Sequence, residues 1–365
     1  MVGTDELYDV LVDGGRRADR VTHVRQIAAR SGTRAPWPDW ADPQVVDGYR
    51  ALGVELPWQH QALAAEAVWA RRHTVLATST GSGKSMAFWL PALTAARAGH
   101  DTGRIDAPAR AGVLYLSPTK ALAADQLAGL HRLLTAAGVR DVHVATCDGD
   151  TGRDERRWVR EHARVVLTNP DFLHFALLPA HQRWARLLRG LRYVVVDECH
   201  AFRGVFGAHV ALVLRRLRRV AAAYGADPTF VLASATTSDP ALSAARLIGV
   251  EPAQVEAITH DTAPSGRRTV VLWQPPELPG FSPLGGGAAA DRPPTDQASA
   301  DGSSSDRSAE GPGARSDGGR GAGFDDGDGP VDGTVERPRR TATAEVADLL
   351  ADLVAAGARA PAFTR

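Results

Sequence analysis

Two short segments of this 365-residue chain carry residue types at spacings that suit work on phosphates. The first is TSTGSGKS, residues 78–85: Thr78, Ser79, Thr80, Gly81, Ser82, Gly83, Lys84 and Ser85. Its glycines let backbone N–H groups turn toward an anion, Lys84 is placed to meet the outer phosphates, and Ser85 offers a hydroxyl to Mg²⁺. A helix beginning just behind the loop adds positive potential. Thr78 stands where the general G-x-x-x-x-G-K-[ST] pattern has its first glycine, and a chance Gly–Ser turn is the bland alternative. The second segment is VVVDECH, residues 194–200. An apolar strand there delivers Asp197 and Glu198 to its end, one acid to hold the Mg²⁺ shell and one to orient and deprotonate an attacking water. An ordinary surface turn is the competing reading of those four residues. A weaker third element, LASATT at 232–237, places the hydroxyls of Ser234 and Thr236 at a strand end, where they could bond those acids and relay their state.

Strands must carry these loops. Short β-rich apolar runs fall at 74–77, 113–117, 142–146, 165–168, 193–196 and 229–233, with helical patterns between them, such as 122–137 and 208–224. Continuous apolar strands alternating with amphipathic helices predict a parallel sheet covered on both faces, with ligands at the C-terminal strand ends. The first 56 residues read as a helical and loop-like extension whose aromatics, Trp37, Trp40 and Tyr49, serve packing. From 281 to 341 the composition turns to Gly, Ser, Asp, Arg and Pro, too poor in aliphatics to offset ordering entropy, and predicts a disordered linker. Beyond it, residues 344–356 regain helical periodicity, and 360–364 read as a strand cut short.

Composition narrows the partners. Lys plus Arg and Asp plus Glu are both 42, so any surface for a polyanion is local rather than global. Nearly all the basic residues are Arg; the only lysines are Lys84 and Lys120. An ammonium is a compact point charge that fits a phosphate cradle where a planar guanidinium does not, so both exceptions are informative. Cys147 and Cys199 have no CxxC partner, which argues against a zinc module or a disulfide framework and fits a reducing cytoplasm. The acidic N-terminus has no apolar signal core, and no apolar run has the length of a membrane span. The Arg215–Arg219 run lies on a helix whose period spreads its charges around the axis, a solvated face before it is a nucleic-acid patch.

Taken in order, residues 58–237 resemble the first RecA-like domain of superfamily-2 helicases. The resemblance implies ATP and Mg²⁺ as ligands and Gln61, in PWQHQA, as an adenine reader. It further implies backbone contacts to nucleic acid from SPTKALAADQ (Thr119, Lys120) and TNPDFLH (Thr168, Asn169, Pro170), with CDGDT at 147–151 as the turn between them. His200 then couples the ATP state to those contacts. The tetrad DECH places the chain in the DExH branch, which favours DNA over RNA. More narrowly, the opening VTHVRQIAAR and the block HVALVLRRLRRVAAAYGADPTFVLASAT are similar to the bacterial YprA-type (mitomycin repair factor A-like) DNA helicases, which implies a place in DNA repair. That family's cysteine-rich metal-binding region has no counterpart here, so its metal site is not carried over. The implied organisation is an N-terminal extension at 1–56, a P-loop RecA-like α/β domain with a mostly parallel sheet at 57–280, the linker at 281–341, and the start of a second RecA-like domain at 342–365. On this reading the arginines of the second domain come from elsewhere, in a second chain if need be. The alternatives are an ATP- and nucleic-acid-binding fragment without turnover of its own, and an RNA helicase.

Overall fold

The computed structural model describes residues 4–98, 111–235, 238–278 and 338–359. In chain order the helices are α1 (Thr4–Leu11), α2 (Pro43–Ala51), α3 (Gln59–Trp69), α4 (Ser85–Arg97), α5 (Lys120–Ala136), α6 (Arg153–His162), α7 (Pro170–Phe172), α8 (Ala185–Arg189), α9 (Gly204–Ala223), α10 (Pro240–Ile248) and α11 (Ala342–Ala355). The strands are β1 (Val21–Ile27), β2 (His73–Ala77), β3 (Gly112–Leu116), β4 (Val144–Thr146), β5 (Val165–Thr168), β6 (Leu191–Val196), β7 (Thr229–Ser234), β8 (Val255–Ile258) and β9 (Arg268–Trp273).

Seven strands form one sheet in the order β4-β5-β3-β6-β7-β2-β8, and every pairing in it is parallel. Side chains along each strand alternate between two cores, as the pleat requires. Leu76, Val113, Tyr115, Val195 and Val231 face a core built with α2, α3, α4 and α5. Val75, Leu114, Val194, Val196 and Leu232 face the other, built with α8, α9 and α10. This is the doubly covered parallel sheet of a RecA-like domain. The largely apolar character of β3 and of Tyr193–Val196 in β6 follows from burial on both faces.

Compact units divide the chain differently from the boundaries expected at 56/57 and 280/281. One unit spans Ala28–Arg267, and the other joins Met1–Ile27 to Arg268–Arg365. Residues 28–56 therefore belong with the large sheet. Their aromatics pack as expected: Trp40 stacks on Trp69 at 4.5 Å and Trp37 on Tyr49 at 5.8 Å. The reason is burial, since Val45, Val46 and Tyr49 of α2 enter the core shared with α5.

In the smaller unit β1 pairs antiparallel with β9, and α1 lies against α11. Glu345 at the start of α11 is buried and accepts from Arg20 at 2.8 Å, Trp273 Nε1 at 2.9 Å and Arg340 at 3.1 Å. Burial pushes its carboxyl up, and these donors hold it below the ordinary value. The last residues of the expected linker pair with β9's exit, since Leu278 N–H donates to Pro338 O and Arg340 N–H to Pro276 O, both at 2.9 Å. The remainder of that linker, the expected strand at 360–364 and Thr236 lie outside the described residues. No described helix is long and apolar enough to cross a membrane.

Candidate nucleotide and nucleic-acid site

The strand order decides which loops meet. Along the C-terminal edge, the loop after β2 (residues 78–84) and the DECH turn after β6 are separated by β7, whose end is Ser234. The loops after β3 and β5, with Thr119, Lys120 and Asn169, lie on the other side of β6. Residues distant in sequence thus fall on one edge, phosphate-type loops in one half and the candidate strand contacts in the other.

In the first half the 78–85 loop runs from a buried strand into α4. Gly81 and Gly83 adopt φ of +80° and +76°, conformations that L side chains rarely take. A Cβ at Gly83 would also crowd Gln61 Nε2. Thr78 and Ser82 are buried and share a hydroxyl–hydroxyl hydrogen bond of 2.8 Å across the loop. Thr80 and Gly81 are exposed at its tip. Lys84 Nζ donates to the carbonyls of Thr78 at 3.2 Å and Ser79 at 3.0 Å, folded over the space that the backbone encloses. Gln61 is buried; its Nε2 donates to Ser82 O at 3.2 Å and Gly83 O at 2.9 Å, and its Oε1 accepts from Trp58 N–H at 2.8 Å. Its amide is bonded to the loop rather than presented to a base.

At the DECH turn, Asp197 is buried and bonded on both oxygens. Oδ2 accepts from Tyr115 Oη at 2.6 Å, and Oδ1 accepts from Glu198 N–H at 2.9 Å. Burial, then the Asp197 charge, pushes the Tyr115 hydroxyl well above its ordinary range, so it remains a donor. Sequence reading passed over Tyr115. A tyrosine inside an otherwise aliphatic strand was the available signal, because a buried hydroxyl needs a partner. Glu198 sits in the left-handed region at φ +46°, costly for a glutamate and typical of functional sites. His200 Nδ1 accepts from Ala235 N–H at 3.1 Å and lies 3.2 Å from Glu198 Oε2. The acid turn and the LASATT strand end are therefore joined by His200. Ser234 is not the link: its buried hydroxyl bonds neither acid and faces the Cys199 thiol. Burial pushes that thiol up to about 12, and Cys147 up to about 11, so both remain protonated.

Asp197 and Ser85 supply hard oxygen donors, and no group of three or more His, Cys, Asp or Glu that could hold a metal occurs among the described residues. This set fits Mg²⁺, which keeps several waters and arrives with phosphate oxygens rather than in an all-protein cage.

The second half differs. Thr119 is exposed at the N-cap of α5 and accepts from Leu122 N–H at 3.3 Å. Lys120 is exposed and pairs with Asp150 of the CDGDT turn. Arg156 steadies that turn by donating to Asp148 O and Thr151 O, each at 3.1 Å. Asn169 caps α7, its Oδ1 accepting from Phe172 N–H at 2.8 Å, and Pro170 is buried. Thr168 departs from expectation. It is buried, and its hydroxyl donates to Cys147 O at 2.6 Å, because it is the last residue of β5 and still pairs with Leu116 inside the sheet. The Arg215–Arg219 run has a structural use: Arg215 donates to Arg246 O at 2.8 Å and Arg218 to Gly249 O at 2.6 Å, satisfying the open carbonyls at the end of α10.

A parallel sheet with a glycine-turned loop entering a helix and an Asp-Glu turn two strands away defines a P-loop nucleotide-binding domain. Residues 58–244, just over half of the chain, match the family described as DEAD/DEAH box helicase. The chain belongs to that family. It is 38% identical over 258 residues to the ATP-dependent helicase YprA of Bacillus subtilis (strain 168), covering 71% of this chain and 33% of that protein. Against the ATP-dependent helicase hrq1 of Schizosaccharomyces pombe it is 35% identical over 230 residues, 62% of this chain and 21% of the relative. Among solved structures it resembles the DUF1998 helicase MrfA bound to DNA and AMPPNP, with TM-score 0.67 and 35% identity over 74% of this chain and 36% of that one. The chain spans about a third of the length of YprA.

Proposed function

We propose that this chain is the first motor domain of an ATP-dependent DNA helicase or translocase that acts in DNA repair. The observation that carries the reading is the placing of the 78–85 loop and the DECH turn on one sheet edge, with Lys120 and Asn169 on the continuation of that edge. In this assignment the loop amides and Lys84 hold the triphosphate of ATP, and Gln61 acts by bracing the loop. Ser85 and Asp197 would hold Mg²⁺, which supplies neutralisation of phosphate charge when bound. Tyr115 fixes the Asp197 carboxylate, and Glu198 orients water and takes its proton. His200 carries the state of Glu198 to the end of β7 through Ala235. Thr119, Lys120 and Asn169 meet backbone phosphates, a contact that does not read sequence. Thr168 and Pro170 shape the loop from below. DNA is favoured over RNA because the structural relative MrfA, at 35% identity, is bound to DNA.

The test is joint titration of the purified chain with a fluorescent ATP analogue and labelled single strands, followed by turnover. The expected result is ATP binding lost in Lys84→Ala, strand binding weakened in Lys120→Ala, and tighter binding to DNA than to RNA of the same sequence. Failure of the chain to bind ATP would overturn the assignment. Binding of both ligands with no stimulated turnover would assign it a binding role without hydrolysis of its own.

A further inference from the structure

Phosphate loops work by aiming backbone N–H groups at an anion, so the remaining atoms of the loop must be held from outside. Here the second half of the loop is held by α3. Gln61 bonds the carbonyls of Ser82 and Gly83, and His60, buried, places Nε2 at 3.2 Å from Ser82 O. Because Nδ1 of His60 accepts from Thr262 N–H at 3.3 Å, Nε2 carries the hydrogen and donates it to Ser82. None of these three bonds reaches Thr78, Ser79 or Thr80.

The first half of the loop meets the chain that leaves β8. In the parallel β2–β8 ladder Leu76 stands opposite Ile258, so continuing both strands by three residues brings Ser79 level with Asp261. The Ser79 hydroxyl donates to Asp261 Oδ2. Oδ1 of Asp261 accepts from Ala263 N–H at 2.9 Å, and Arg30 stands 3.2 Å from Oδ2. Arg30 is itself fixed by Nε and Nη2 bonds of 3.0 and 2.7 Å to Ala263 O, and by a two-way backbone bridge to Ser265. Thr33 N–H donates to Thr262 O at 2.9 Å. The result is a strap of residues 261–265, backed by residues 30–33, with one carboxylate turned onto the loop. Burial pushes the Asp261 carboxyl up, but the bonds from Ser79, Ala263 and Arg30 hold it below its ordinary value, so it remains an acceptor.

We propose that Asp261 is a positioning residue for the phosphate loop: neutralised by Arg30, its carboxylate holds the Ser79 hydroxyl and sets the first half of the loop, as His60 and Gln61 set the second. The assignment rests on the reading of 78–85 as the ATP loop. An anionic group beside a triphosphate site is unfavourable unless its charge is matched, and Arg30 supplies the match. The loop is thereby pre-organised before nucleotide arrives, which removes part of the ordering cost of binding.

The experiment is a double-mutant cycle on the full chain, read as affinity for a fluorescent ATP analogue with Mg²⁺. Asp261→Ala and Ser79→Ala should each weaken binding about tenfold, the scale of one hydrogen bond to a charged group. The double variant should be no weaker than either single, since both remove the same bond. Asp261→Asn, which keeps an acceptor for the Ser79 hydroxyl, should recover part of the affinity. A merely structural role for Asp261 would instead give additive losses and no rescue by Asn, and that result would overturn the proposal. If Asp261→Ala does not fold, Ser79→Ala alone decides, because it deletes one hydroxyl from a half-buried loop position; unchanged affinity there sinks the idea. Lys84→Ala separates the two levels. Intact ATP binding in that variant brings down the ATP-loop reading itself, whereas lost binding in it with normal binding in Ser79→Ala brings down only the strap.

Discussion

The two halves of the sheet's C-terminal edge are built differently. Around β2, β7 and β6 several polar side chains are buried and bonded in place: Asp197 by Tyr115 and Glu198, Gln61 by three partners, Thr78 by Ser82. Around β3 and β5 the candidate contact groups stand on the surface: Thr119 is exposed, and Lys120 is paired with an exposed Asp150. A site that handles a leaving phosphate needs atoms held to fractions of an ångström, because catalysis there is positioning plus charge. On the proposed reading the other half grips and releases a polyanion, which needs charge but not rigid geometry. Exposed ion pairs cost little to exchange for a phosphate.

That contrast can be broken from its rigid side first. Glu198→Gln should leave ATP affinity intact and lower single-turnover hydrolysis with saturating single strands by about 10²- to 10⁴-fold, the usual worth of a positioned base. A smaller loss would mean that another group handles the water. Next in size, Lys84→Ala should cost a fluorescent ATP analogue about a hundredfold in affinity, so that binding is lost over the range titrated, following the upper strength of hydrogen bonds to charged groups. Tyr115→Phe removes the donor from a buried carboxylate and should cost about 1–3 kcal/mol in denaturant unfolding. ATP binding should persist, and an unchanged unfolding midpoint would show that the Tyr115 bond to Asp197 Oδ2 contributes no stability.

On the exposed side the effects should be smaller. Lys120→Ala should reduce the log–log salt slope of single-strand binding by about 0.7, one phosphate's worth of counterion release. A slope equal to that of the unaltered protein would remove Lys120 from the interface. Smallest of all, Thr168→Val should leave strand affinity unchanged while lowering stability, because the hydroxyl it deletes is bonded inside the protein to Cys147 O. Weakened DNA binding at constant stability would restore Thr168 to the contact set. Acid should act on the rigid half too. Burial, foremost, lowers the pKa of His60 below its ordinary 6.5. The unfolded chain then binds the proton first, so stability should fall as pH drops through about 6.5, read as a falling thermal midpoint.

The local patterns were legible because they are local. TSTGSGKS, DECH and the apolar runs declared a phosphate loop, an acid pair and buried parallel strands, since glycine spacing and strand-type hydrophobicity act within a few residues. The alternation of Val75 with Leu76 and Val113 with Leu114 between two cores follows directly from such runs. Pairing across the sheet was not legible in that way. That β7 stands between β6 and β2, that Tyr115 reaches Asp197 from 82 positions away, and that Asp261 lies level with Ser79 all depend on strand order and register. The same holds for Thr168, whose place in a nucleic-acid motif suggested exposure until the sheet buried it, and for β1, which pairs with β9 rather than with the large sheet. Sequence by itself determined which chemistries were present and on what kind of element. Tertiary structure alone decided which partners hold each group still, because long-range hydrogen bonds leave no periodic trace in the chain.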